Sequence, residues 1–176
     1  MKNIVRILVC VSIIAVFAAF VQAQYKSKRT AEPFSATAMN GQNFDLESLK
    51  GKVVVMTFWS TRCPICAGEI PNLNRLADSY KGKDVVFLAL STEDPNRIGG
   101  FLKSKPFNFN ILPNSFGVVL KYADKDSQGR INMPFPSFYV IDQNGQIELK
   151  TSGYDKTNAL SSNINRLLTN SVAKAE

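Results

Sequence analysis

Apolar and polar positions alternate along the chain in blocks that predict an α/β domain. Val53 to Phe58 and Asp84 to Leu90 are short, strongly apolar runs, as is typical of strands buried on both faces. Between them, apolar residues recur at helical spacing from Ala67 to Tyr80, with Pro71 in the middle and Gly82 just past the end. This spacing predicts a kinked amphipathic helix. Strands that alternate with helices indicate a parallel core.

Turn signals place the remaining elements. Asn40-Gly41 and Asn144-Gly145 each separate two short strand-like segments, and we expect a type I′ hairpin at the first and a terminal hairpin at the second. The other predicted elements are a helical turn over 47–50, a helix over 96–103, a strand over 107–112, a helix over 116–122, a polar loop over 124–130, strands over 137–141 and 146–151, and a C-terminal helix with Leu160, Ile164, Leu167 and Leu168 on one face.

The first 23 residues have the pattern of an export signal. Lys2 and Arg6 precede a largely apolar run of 15 residues, 7–21, in which Cys10 is an ordinary apolar position. The run has the length of a secretory core and falls short of the ~20 residues that span a bilayer comfortably. We predict a signal peptide or, alternatively, an uncleaved N-terminal membrane anchor over 1–23, a basic linker over 24–31 and one folded domain over 32–170. The domain is then periplasmic, or on the extracytoplasmic side of the membrane.

Composition narrows the possible functions. The chain carries a formal charge of +7, and because Lys2 and Arg6 belong to the leader, the remainder has 19 basic against 14 acidic residues. Lys26, Lys28 and Arg29 are the only tight basic cluster, so we expect no nucleic-acid partner. The chain contains no histidine, which excludes Cys-His nucleophilic catalysis and histidine-ligated metals.

Cys63 and Cys66 are separated by two residues and follow the first apolar run closely. If a helix begins near Cys63, the free N–H groups at its positive end stabilise a thiolate there. Arg62 adds a neighbouring cation. Cys66 lies one turn later, where it can attack a mixed disulfide formed on Cys63. The spacing therefore predicts a redox-active dithiol.

Three other interpretations of this cysteine pair are weaker. A structural bridge that closes a loop of about four residues stabilises a fold by only about 2 kcal/mol. A zinc site needs four ligands, and the chain offers no histidine and only Cys10 as a further cysteine. A c-type haem site requires histidine where Ala67 follows Cys66. We expect no cofactor and no bound metal.

The motifs that surround the dithiol are Leu49 to Val55, Phe58 to Thr61, Glu69-Ile70-Pro71 and Pro136 to Asp142. Together they resemble the TlpA/ResA-like group of exported thioredoxin-like proteins over most of residues 32–168. The resemblance implies a thioredoxin-like α/β fold, in which helices flank a central mixed β-sheet. It further implies an N-terminal β-hairpin and an inserted α/β segment before a cis-proline.

The resemblance also implies roles for four residues. Cys63 would be the exposed nucleophile and Cys66 the buried resolving thiol. Pro136 would be the cis-proline that faces the disulfide and presents the backbone of Phe135 to a substrate. Glu69 would be either a proton acceptor for Cys66 or a surface charge near the helix start.

We therefore predict an exported thiol–disulfide oxidoreductase that reduces or exchanges disulfides in other exported proteins. We expect a monomer whose partners are cysteine-containing exported proteins and, as the family implies, a membrane dithiol electron donor. Two alternatives remain. One is a peroxiredoxin-like thiol peroxidase, whose Ser/Thr-x-x-Cys motif is met by Ser60 and Cys63 although Met56 stands where that motif has proline. The other is a non-catalytic binding module for cysteine-containing proteins.

Overall fold

The computed structural model describes residues 29–172. The predicted leader, 1–23, with Cys10, and most of the predicted linker, 24–31, lie outside the described residues. Within the described range, none of the helices is both long and apolar enough to cross a membrane.

Ten strands and four α-helices make up the described fold. The strands are β1 Arg29–Thr30, β2 Ser35–Thr37, β3 Asn43–Asp45, β4 Val53–Phe58, β5 Val85–Leu90, β6 Asn110–Leu112, β7 Asp124–Lys125, β8 Ile131–Asn132, β9 Ser137–Ile141 and β10 Gln146–Ser152. The helices are α1 Pro64–Ser79, α2 Pro95–Leu102, α3 Phe116–Tyr122 and α4 Thr157–Val172, with a short 3-10 helix at Glu47–Leu49.

The central sheet is mixed and has six strands in the order β1-β10-β9-β4-β5-β6. Strand β4 pairs in parallel with β5 and antiparallel with β9, and β5 pairs in parallel with β6. All six residues of β4 are buried, as its apolar sequence predicts. The predicted α/β fold with a mixed sheet is confirmed, and the carboxyl ends of β4 and β5 meet at the edge where α1 and α2 begin.

Alternate residues of the sheet face two separate apolar layers. On one face, Val53 and Val55 pack in a cluster with Ile70 of α1, Ile98 of α2 and Ile164 of α4. On the other face, a second cluster joins β4 to the β2–β3 hairpin and to α3. Both faces of the central sheet are thus covered by apolar side chains.

The first hairpin turn differs in type from the prediction. Ala38 donates its N–H to the Gln42 carbonyl over 2.8 Å, so the loop contains three residues and not two. Gly41 has a φ of 84°, whereas Asn40 is not among the positive-φ residues of the described chain. A type I′ turn needs positive φ at both central residues. Gly41 instead supplies the single left-handed residue of a three-residue hairpin loop.

Three other segments also depart from the sequence pattern. The strand predicted over 107–112 is confined to β6, because Phe107 and Phe109 turn into the core and stack on each other with ring centroids 4.5 Å apart. The segment predicted as a loop over 124–130 begins with strand β7, which pairs with β8 in a small hairpin. Finally, Arg29 and Thr30, which belong to the predicted linker, add an edge strand to the sheet.

Candidate active site

The dithiol lies at the start of α1, as the sequence predicts. Cys63 is the N-cap residue, Pro64 opens the helix, and the Cys66 N–H donates to the Cys63 Sγ over 3.1 Å. The two cysteines form a disulfide with their Cα atoms 5.2 Å apart. The first sulfur therefore occupies the position in which helix N–H groups stabilise a thiolate after reduction.

The two sulfurs differ in their access to solvent. Cys66 is only 3% exposed and belongs to the apolar cluster beneath α1, whereas Cys63 is half-buried. An incoming molecule can therefore reach Cys63 directly, while Cys66 is shielded by the body of the domain.

The segment before β9 faces the disulfide. The Phe135–Pro136 peptide bond is cis, as the resemblance implies. The Phe135 carbonyl oxygen lies 3.6 Å from the Cys63 Sγ. The Gly153 N–H donates to the Pro136 carbonyl over 2.9 Å, which ties this segment to the loop between β10 and α4. The Cys63 sulfur is thus bordered by the backbone of Phe135, in a segment that the loop before α4 holds in place.

Glu69 lies inside the domain, so its interpretation as a surface charge is wrong. Its side chain is on the inner face of α1 and the residue is 0% exposed. Its carboxylate accepts the Asp155 N–H over 3.2 Å and the Asn72 side-chain amide over 3.5 Å. No lysine or arginine of residues 29–172 forms an ion pair with it.

Sequence reasoning missed a second buried carboxylate, Glu93, which follows β5 and is 7% exposed. It accepts the Thr61 N–H over 2.7 Å and hydroxyl hydrogen bonds from Thr61, Ser60 and Ser91 over 2.8, 3.2 and 3.3 Å. Burial alone acts to raise the pKa of Glu93, but these donors together hold it below its usual value. The available signal was that Glu93 follows β5, whose carboxyl end lies beside that of β4.

Two large side chains next to the dithiol, those of Arg62 and Trp59, have partners in the domain. The Arg62 Nε lies 3.6 Å from a Glu93 carboxylate oxygen, so the predicted cation beside Cys63 is paired with an anion. Trp59 is 1% exposed, and its ring centroid lies 5.6 Å from that of Phe101 and 5.5 Å from that of Phe107. Trp59 is therefore part of the core behind the dithiol.

The described part of the chain offers no cluster of three or more histidine, cysteine or acidic side chains that could hold a metal ion.

Comparison with known proteins places this site in a family. The model of the AhpC/TSA family matches residues 28–150. The chain is a ResA-like member of the AhpC/TSA family. The thiol-disulfide oxidoreductase ResA of a Bacillus cereus strain is 31% identical over 126 residues, which cover 71% of this chain and 69% of that protein. The soluble secreted antigen MPT53 of Mycobacterium tuberculosis is 31% identical over 109 residues, 61% of this chain and 57% of the antigen.

Solved structures show the same fold. A thiol:disulfide interchange protein of the thioredoxin family from Chlorobium tepidum TLS superposes with a TM-score of 0.68 at 20% identity, over 80% of this chain and 97% of that one. The predicted TlpA/ResA-like family, thioredoxin-like fold and enzyme class, thiol–disulfide oxidoreductase, are confirmed by these comparisons.

Proposed function

We propose that this protein is an exported thiol–disulfide oxidoreductase that reduces or exchanges disulfides in other exported proteins through Cys63 and Cys66. The observation that carries the proposal is the asymmetry of the pair. The accessible Cys63 sulfur caps α1 opposite the Phe135 carbonyl, and the Cys66 sulfur lies in the core. Such an arrangement suits sequential attack by two thiols.

In the reducing direction, both cysteines begin as thiols. The Cys63 thiolate attacks one sulfur of a substrate disulfide, which forms a mixed disulfide and releases one substrate thiolate. The Cys66 thiolate then attacks the Cys63 sulfur, so the Cys63–Cys66 disulfide forms and the second substrate thiolate leaves. Two electrons pass from the domain to the substrate, and the reverse sequence oxidises a substrate dithiol.

Glu69 acts as the proton acceptor for Cys66 in this scheme. A thiol in apolar surroundings ionises less readily than a free one, and the chain has no histidine to deprotonate it. Glu69 follows Cys66 by three residues on α1, which places both on one helix face, and it is fully buried. Its carboxylate has amide donors but no cationic partner among residues 29–172, so it is available to bind a proton.

Pro136 and Phe135 would receive the substrate chain. The Phe135 carbonyl lies beside the reacting sulfur, and the Gly153 N–H holds the Pro136 carbonyl in place. The backbone at this point can therefore orient a cysteine-containing segment of a substrate against Cys63. Because the chain itself carries all of these groups, a monomer suffices for the proposed reaction.

The predicted leader supports export, and the name of the MPT53 relative describes a secreted protein. Outside the cytoplasm, a dithiol that reduces substrates is left oxidised after each turnover and needs two electrons to restore it. We propose a membrane dithiol as that donor, and cysteine-containing exported proteins as the substrates.

The activity is tested with the purified domain by the reduction of insulin with dithiothreitol and, separately, by the consumption of hydrogen peroxide. The proposal predicts that insulin reduction is accelerated and that peroxide is not consumed faster than by free thiols. Faster peroxide consumption without insulin reduction would establish the thiol peroxidase instead. Absence of both activities, with Cys63 still able to bind a cysteine peptide, would indicate the non-catalytic module.

A further inference from the structure

Glu93 connects the segment after β5 to the loop that carries the nucleophile. Its carboxylate accepts hydrogen bonds from the backbone N–H of Thr61 and from the hydroxyls of Thr61 and Ser60. In turn, the Ser60 hydroxyl accepts the Arg62 N–H over 3.1 Å, and the Ser60 carbonyl accepts the Cys63 N–H over 3.1 Å. A continuous chain of hydrogen bonds thus runs from Glu93 to the backbone of Cys63.

The Glu93 carboxylate also lies beside two arginine side chains at this edge of the sheet. Arg97 lies with its Nε 3.1 Å from a Glu93 oxygen, and the Arg62 Nε lies 3.6 Å from the same oxygen. Arg97 additionally donates to the Thr61 hydroxyl over 3.2 Å. The Glu93 carboxylate is buried, whereas the side chains of both arginines reach the solvent. The position of the negative charge is therefore more constrained than the positions of the two positive charges.

We propose that Glu93 is a positioning residue for the dithiol, which holds the 60–62 loop in place and offsets the positive charge of Arg62 beside Cys63. This proposal assigns the residue to the reaction described above, and in that sense rests on the proposed function. It predicts that the helix terminus stabilises the Cys63 thiolate, while Arg62 and Glu93 together contribute little because their opposite charges offset each other.

Other charged groups act on the same sulfur and must stay constant in the test. Besides Arg62, Glu93 and Arg97, the charged side chains on the segments that surround Cys63 are Glu69 on α1, Asp94 before α2, and Asp155 and Lys156 before α4. Residues 133–136 carry no charge.

Glu93→Gln removes the charge and keeps the size of the side chain. With the negative charge gone, Arg62 is no longer offset, so the pKa of Cys63 should fall by about 0.5 to 1 and the thiolate fraction at low pH should rise about 3- to 10-fold. Equilibration with a glutathione buffer should shift by a similar factor toward the reduced domain. Glu93→Asp keeps the charge and shortens the reach, so it should leave this pKa near the original value and slow attack by Cys63.

The matched control is Asp142→Asn. Asp142 is also 7% exposed, but it accepts the backbone N–H groups of Asn144 and Gln146 at the β9–β10 turn, at the opposite end of β9 from Pro136. Its substitution removes an equally buried carboxylate and should leave the pKa of Cys63 unchanged.

The measurement is thiolate absorbance against pH for the reduced proteins, with folding checked by circular dichroism. Arg62→Gln, on an exposed side chain, should raise the pKa of Cys63, and Glu93→Gln combined with Arg62→Gln should return it toward the original value. These results require no substrate, so they stand even if insulin is not reduced. The proposal is overturned if the pKa of Cys63 is the same in Glu93→Gln as in the parent. Should Glu93→Gln fail to fold, an unchanged pKa in Arg62→Gln overturns it.

Discussion

Replacement of Glu69 by glutamine tests whether this buried carboxylate accepts the proton of Cys66. Glutamine keeps the size of the side chain and an oxygen that can still accept the Asp155 N–H, at 3.2 Å in the parent. It cannot accept a proton. The substitution therefore separates the chemical role of Glu69 from its role as a tie to the loop before α4.

The expected magnitude follows from the ionisation of a thiol. A thiol with a pKa of about 8.5 is roughly 3% thiolate at pH 7, and one shifted to about 9.5 by burial is roughly 0.3% thiolate. A positioned general base typically contributes about 10² to 10⁴ in rate. We expect Glu69→Gln to slow the attack of Cys66 by about 100-fold and to make its rate rise nearly tenfold for each pH unit near neutrality.

Reaction of the reduced protein with an aromatic disulfide that releases a coloured thiolate resolves the two steps. The first coloured thiolate is released when Cys63 attacks the reagent and forms a mixed disulfide. The second is released when Cys66 attacks the Cys63 sulfur of that mixed disulfide. Glu69→Gln should slow the second phase far more than it changes the first. The control is Asp78→Asn. Asp78 is a surface carboxylate at the other end of α1 that pairs with Lys81, and its substitution should alter neither phase. A second phase as fast as in the parent, with the same pH dependence, would refute the proton transfer.

Three further predictions concern stability. Replacement of Ile164, which is 0% exposed, by alanine should lower the free energy of unfolding by about 2–5 kcal/mol, as measured by urea titration. Alanine at the exposed Ser162, the control, should change it by less than about 0.5 kcal/mol. The pKa of Glu93 is lower in the folded than in the unfolded state, so its ionised carboxylate stabilises the fold above the unfolded pKa of about 4.3, and this stabilisation is lost as pH falls through the folded pKa. In urea titrations between about pH 6 and pH 3, the parent should therefore lose more stability than Glu93→Gln. Gly100→Ala, in α2 with open space around the new methyl group, should raise the unfolding temperature, and Gly41→Ala, at a φ of 84°, should lower it.

Elements with one dominant local cause were predictable from the sequence. Strand β4 and strand β9 have the predicted bounds because nearly all of their residues are apolar, as suits strands buried on both faces. Helix α3 also has its predicted bounds. The start of α1 at the dithiol follows from the N-cap position of Cys63 and from Pro64, which suits the first turn of a helix.

Features that depend on distant contacts were not predictable. Nothing in the residues next to Glu69 and Glu93 marks them as buried, and their hydrogen-bond partners Asp155 and Thr61 lie 86 and 32 positions away. The β7–β8 hairpin forms in a segment of low apolar content, where an ion pair between Lys150 and Asp124 links it to the sheet. Periodicity describes which face of an element is buried, but it does not say which polar groups meet there.

The central claim is the order of attack by the two cysteines, and covalent trapping with single-cysteine variants tests it most directly. Cys66→Ser removes the resolving thiol and leaves Cys63 able to attack, so substrates should remain bound to Cys63 as mixed disulfides. Expressed with its leader in a cell that exports it, this variant should run on a non-reducing gel as higher-mass adducts that collapse with reductant. Cys63→Ser, the matched control, should form none. The account would be contradicted if Cys63→Ser captured partners while Cys66→Ser captured nothing, because the buried thiol would then be the nucleophile.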